Sequence, residues 1–74
     1  MMKETRIAVD AMGGDGGPKI IMPSVKAFLL ENRSVKVDVY GDEKILSKYL
    51  NIFDKNISKN LTIIHTDEKV LSED

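Results

Sequence analysis

A chain of 74 residues with no cysteine and a formal net charge of −1 forms at most one small domain, and such a domain buries only about 60 % of the surface its unfolded form exposes. Lacking cysteine, it has no disulfide staple, cysteine nucleophile or thiolate metal site, so its stability must come from a partner or from the rest of a longer chain. Charges of both signs are spread along the sequence, which leaves no basic footprint for nucleic acid.

The opening MMKETR is charged and is followed by only a few small apolar residues before Asp10. That falls far short of a signal-peptide core, and nothing later approaches the roughly 20 apolar residues of a membrane span. A cytoplasmic location follows, with any membrane contact peripheral. Arg6-Ile7-Ala8-Val9 is short, apolar and β-branched, the pattern of a strand buried on both faces of a parallel sheet. Asp10 stands at its carboxyl end. The strand opens into a loop carrying Gly13, Gly14, Gly16 and Gly17, whose backbone can turn successive N–H groups into one concavity suited to phosphate. Pro18 fits the first position of a helix, which sets a helix N-terminus and its partial positive charge beside the loop. In that helix Ile21, Met22, Val25, Phe28 and Leu29 share one face, with Lys26, Glu31 and Arg33 off it. Pro23 removes one backbone bond, so the helix either kinks there or begins its regular part there.

In the next apolar segment, residues 35–40, Val35, Val37 and Val39 alternate with Lys36, Asp38 and Tyr40. One face is therefore the more polar, which predicts a strand nearer an edge, or less covered, than the first. Gly41-Asp42 ends it, and Asp42 is a good N-cap for a helix from Glu43 whose Ile45, Leu46, Tyr49, Leu50 and Phe53 lie on one face. Residues 54–60 read as a polar connection, 61–65 as a third strand ending in His65, and 66–74 as an acidic tail with one apolar pair, Val70-Leu71. The fold class is thus α/β, in the order β-α-β-α-β, one mononucleotide-sized half of an open sheet. Two helices on right-handed crossovers cover only one face of three parallel strands. The bare second face predicts a piece of something larger.

The glycine-rich loop fails the better-known phosphate patterns. The frame for G-x-G-x-x-G, Gly14 to Lys19, has Lys in place of the third glycine. No P-loop spacing exists, and Lys19-Ile20 lacks the hydroxyl that would hold Mg²⁺. Two glycines would suffice to turn a tight corner; four, together with Asp10 and Asp15, point to a ligand site. Both carboxylates cannot face a phosphate dianion unassisted, because like charges about 4 Å apart repel by about 4 kcal/mol near a protein surface. At least one has another task, such as accepting loop N–H bonds or pairing with a cation from elsewhere, and Asp15 also reads as a turn-forming residue. His65 stands where open α/β sheets bind ligands; it reads as a proton shuttle or as a local hydrogen-bonding residue. Lys19 either neutralises phosphate or is simply solvated, and Met12 either lines an acyl path or fills a gap.

DAMGGDGGP after an apolar strand resembles the opening of the PlsX-type phosphate acyltransferases, bacterial enzymes of phospholipid synthesis that make acyl phosphate. VDVYGDE at residues 37–43 resembles the family's second strand and the Gly-Asp after it, and LTIIH at 61–65 its third strand. Family members are several times longer, so residues 1–74 read as the N-terminal segment of a single larger α/β catalytic domain. The resemblance implies an open, mostly parallel three-layer sheet of the isocitrate/isopropylmalate dehydrogenase-like kind. It also implies transfer of a fatty acyl chain from acyl carrier protein to inorganic phosphate, a homodimer, and peripheral attachment to the inner face of the membrane. A phosphate oxygen would attack the thioester carbonyl directly. That needs no enzyme nucleophile and no metal or organic cofactor, in keeping with the lack of cysteine and of a G-x-S-x-G elbow. Asp10 and Asp15 are then the candidate catalytic residues, His65 a further one, and Gly13, Gly14, Gly16 and Gly17 the phosphate-binding floor. Two other readings stay open: a small phosphate-binding or interaction module without catalysis, and an inactive truncated fragment.

Overall fold

The computed structural model describes residues 5–13 and 16–66. In chain order they form β1 (Thr5–Asp10), α1 (Pro18–Glu31), β2 (Val35–Gly41), α2 (Glu43–Leu46), a 3₁₀ segment (Ser47–Ile52), α3 (Lys55–Ser58) and β3 (Leu61–His65). The three strands are parallel and ordered β1-β2-β3, an open α/β sheet that is incomplete on one side, as the alternation of strands and helices predicts.

Register decides which side chains share a face. Ile7 pairs with Val37 and Val9 with Val39, while Val37 pairs with Leu61 and Val39 with Ile63, so these residues point the same way. Against them pack Met22, Val25 and Leu29 of α1, together with Leu46, Phe53 and Ile57. Full burial of side chains such as Met22, Leu29 and Ile57 contributes about 1.5–3 kcal/mol each. The opposite face carries Ala8, Asp10, Asp38, Tyr40, Thr62 and Ile64, and among the described residues no helix covers it.

The relative burial of the first two strands reverses the expectation. β1 is exposed along most of its length, whereas β2 buries Val37, Asp38, Val39 and Gly41. Composition suggested the opposite because β1 is the more apolar; position in the sheet overrides it, since the middle strand has neighbours on both sides and the outer one does not. The charge on β2 is accommodated by pairing: Arg6 Nη1 donates to Asp38 Oδ1 at 2.7 Å.

The second helix is also different from its prediction. In place of one helix over residues 43–53 the chain forms α2, a 3₁₀ segment, and then, inside the supposed polar connection, α3. The cause lies in the spacing of the apolar residues. Leu46, Tyr49 and Ile52 recur every third residue and all pack on the core, which suits three residues per turn better than 3.6. Ile45 and Leu50, assigned to the buried stripe by an α-helical count, are exposed. Both short helices are capped: Asp42 accepts from the Lys44 N–H at 2.9 Å and Asp54 from the Asn56 N–H at 3.0 Å. α3 exists because Ile57, fully buried, needs the core. α1 runs unbroken through Pro23, with Pro18 in its first turn as expected. The predicted acidic tail beyond Thr66 lies outside the described residues.

Candidate functional site

The candidate residues gather at the carboxyl ends of the strands. At the end of β1 the Asp10 carboxylate turns back on its own loop, and Oδ1 accepts the Met12 N–H at 3.0 Å. A Cβ on Gly13 would stand 3.0 Å from Asp10 Oδ2, so the second oxygen lies directly against the Gly13 backbone. Ala11 anchors the start of the loop: it is fully buried and its N–H donates to the Tyr40 carbonyl at 3.0 Å. Asp10 thus holds the loop, one of the tasks its charge allows.

The far end of the loop is set by Gly17. Its φ of 57° and ψ of −150° belong to a region essentially closed to L side chains. Among the described glycines it alone has positive φ. That turn swings the chain into α1, where the Gly17 carbonyl accepts from the N–H groups of Ile20 and Ile21 at 3.1 and 3.0 Å. Gly14 and Asp15, the middle of the loop, lie outside the described residues. Lys19 is exposed.

Met12 does not stand free beside the loop. It packs over Gly41, where a Cβ would come 2.8 Å from Met12 Cγ and 3.0 Å from Leu46 Cδ1. Gly41 is therefore part of the site's foundation: only hydrogen fits between the loop of β1 and the start of α2. By sequence Gly41 reads simply as the end of a strand, and the Gly-Asp pair before a helix is the signal that marks it.

His65 pairs in register with Gly41, and its Nδ1 accepts the Glu43 N–H at 3.1 Å, tying the end of β3 to the first turn of α2. Asp10 pairs with Tyr40. Since Tyr40 and Gly41 point to opposite faces, Asp10 and His65 emerge on opposite sides of the sheet, two strand spacings or about 10 Å apart along it. The fold sets Asp10 against Gly13 and does not bring His65 to them. Ala8, Val9, Asp10, Tyr40 and Thr66 line an open cavity of about 340 Å³ at this end of the sheet.

The family model described as "Fatty acid synthesis protein" matches residues 5–74. The chain is 42% identical over 69 residues to the phosphate acyltransferase of Streptococcus agalactiae serotype Ia, which covers 93% of this chain and 19% of that protein. It is likewise 44% identical over 68 residues to the phosphate acyltransferase of Streptococcus thermophilus, covering 92% and 19%, and 42% identical over 69 residues to that of Streptococcus mutans, covering 93% and 19%. The chain spans about one fifth of the length of the curated relatives it matches.

Proposed function

The chain belongs to the fatty acid synthesis protein family of PlsX-type phosphate acyltransferases, and from that premise we propose that it is the N-terminal segment of an enzyme that transfers an acyl chain to inorganic phosphate. In this reading the loop between Ala11 and Gly17 forms the floor on which phosphate sits. The observation that carries it is the Asp10 carboxylate spent on the Met12 N–H at 3.0 Å. A carboxylate turned into its own loop is partly neutralised by the bond it accepts, which lessens its repulsion of an anion bound above the glycines.

The chemistry follows from positioning. A phosphate oxygen adds to the thioester carbonyl of the acyl donor, the tetrahedral oxyanion collapses, the carbon–sulfur bond breaks, and the thiol leaves after taking up a proton. Inorganic phosphate is partly dianionic at neutral pH, so the nucleophile needs no activation. What the protein adds is orientation and N–H donors aimed at phosphate and oxyanion. The α1 N-terminus contributes a partial positive charge beside the loop. Acyl carrier protein is the proposed donor, and a cytoplasmic homodimer in peripheral contact with the membrane the proposed setting. No described helix is long and apolar enough to cross a membrane.

The test uses the full-length protein, incubated with phosphate and either acyl carrier protein or coenzyme A thioesters, with acyl phosphate as the readout. Acyl phosphate formed from the carrier-protein thioester is the expected result; release of free fatty acid alone would remove the reading. In the same assay Gly17→Ala should slow turnover about ten- to hundred-fold, because the strain of an L residue there is on the order of 1–3 kcal/mol.

A further inference from the structure

His65 is joined to the glycine-rich loop by a chain of close contacts. β3 places it on the covered face of the sheet, in register with Gly41, and its Nδ1 accepts the Glu43 N–H at 3.1 Å. That N–H opens α2 and has no partner within the helix. The next one, of Lys44, goes to Asp42 Oδ1 at 2.9 Å. One donor at the start of α2 is therefore capped from its own turn, and the other from a strand residue 22 positions away.

A local cap stabilises a helix wherever the helix goes, whereas a cap delivered from β3 also fixes where α2 starts relative to the sheet. The placement is felt at Gly41. A Cβ there would come 3.0 Å from Leu46 Cδ1, one turn into α2, and 2.8 Å from Met12 Cγ, so the bare Gly41 backbone is enclosed between α2 and the loop after β1. Met12 in turn donates its N–H to Asp10 Oδ1 at 3.0 Å, and the other Asp10 oxygen lies against Gly13. The intervening backbone is braced from both sides: the Tyr40 carbonyl accepts the Ala11 N–H and the Gly41 carbonyl the Thr66 N–H, each at 3.0 Å. Shifting α2 drives Leu46 against Gly41, and close-packed groups transmit such a shift instead of absorbing it. The same geometry argues against proton transfer, because His65 and Asp10 emerge on opposite sides of the sheet and the Nδ1 lone pair is engaged by the Glu43 N–H.

We propose that His65 is a positioning residue: by fixing the start of α2 it sets, through Leu46, Gly41 and Met12, the place of the glycine-rich loop on which phosphate sits, and it transfers no proton in the reaction. The loop's part in holding phosphate rests on the reading above; the mechanical link from His65 to Met12 does not. What the position requires is an acceptor bonded directly to Cγ. Asparagine offers one in Oδ1, the acceptor of glutamine lies one bond farther out, and alanine has none.

Steady-state kinetics of the full-length protein, with inorganic phosphate varied and acyl phosphate as the readout, separate positioning from proton transfer. His65→Ala and His65→Gln are expected to raise the phosphate KM about five- to tenfold, the effect of one hydrogen bond, with kcat nearly unchanged. His65→Asn should return KM to within about twofold of the parent. A proton shuttle behaves otherwise: asparagine carries no proton between groups, so kcat would fall about 10²- to 10⁴-fold in all three variants. That result would overturn the proposal, as would a phosphate KM that is the same in the Asn and Gln variants. A second measurement needs no variant. Coupling between sites is reciprocal, so saturating inorganic phosphate should slow hydrogen exchange of the Glu43 amide in the parent about five- to tenfold and leave that of Ser58 in α3 as it was; an unchanged Glu43 amide would equally count against it. A parent that forms no acyl phosphate and takes up no phosphate removes the site reading itself. Acyl phosphate formation with Asn and Gln variants that behave alike removes only the role of His65.

Discussion

Asp10 and Gly17 carry the loop by different physics, and each can be tested separately. Asp10 acts through an acceptor oxygen, so Asp10→Asn, which keeps one, should cost less than half of what Asp10→Ala costs. The alanine variant loses the bond to Met12 and is expected to destabilise the protein by about 1–2 kcal/mol in urea unfolding. Equal costs for the two variants would show that the carboxylate's charge, not its hydrogen bond, holds the loop. Gly17 acts through backbone conformation. Nothing lies within 4 Å of a Cβ placed there, so the strain of Gly17→Ala has no steric source outside the backbone itself. The mirror image of φ 57°, ψ −150° is ordinary extended backbone for an L residue. A D-alanine introduced at position 17 by chemical ligation should therefore restore the stability that L-alanine removes.

At the scale of elements, the segment after β2 is where local pattern and tertiary demand disagree. An α-helical count puts Leu46 and Leu50 on the same buried face, but the 3₁₀ turn rotates Leu50 outward, to 41% exposed, while Leu46 is fully buried. Leu46→Ala is expected to cost about 2–5 kcal/mol, whereas Leu50→Lys should fall within about 0.5 kcal/mol of the parent. Comparable losses at both positions, measured by denaturant unfolding, would restore the continuous helix. α1 behaved more simply because its stripe of Met22, Val25 and Leu29 has true helical spacing, and it tolerates Pro23 on its exposed side. Pro23 leaves the Lys19 carbonyl without its i+4 donor. Pro23→Ala should raise stability by about 1–2 kcal/mol, the restored helix bond being offset in part by the greater freedom of the unfolded chain.

For the whole molecule, one covered face and one free edge are too little. Among the described residues the core rests on nine buried apolar residues on a single side of the sheet, and the opposite side exposes Ala8 and Thr62 and half-buries Tyr40 and Ile64. As an isolated 74-residue chain the protein is expected to bind a hydrophobic dye and to lack a sharp near-ultraviolet unfolding transition. A cooperative transition above about 50 °C, in the range of ordinary mesophilic domains, would mean that the exposed face costs less than its composition suggests.

The amino-acid sequence by itself determined the strands, the first helix and the cap at Asp42, because each depends on neighbours within a few residues: side-chain periodicity, a carboxylate two residues from an N–H, a proline in a first turn. The family was legible for the same reason, being carried by a contiguous run of residues. The tertiary structure alone decided which strand is central, that Asp38 meets Arg6, that Gly41 must be small to seat Met12, and that His65 stands across the sheet from Asp10. Those outcomes depend on which distant segments become neighbours, and a parallel sheet sets that by register and handedness, neither of which leaves a mark on local composition.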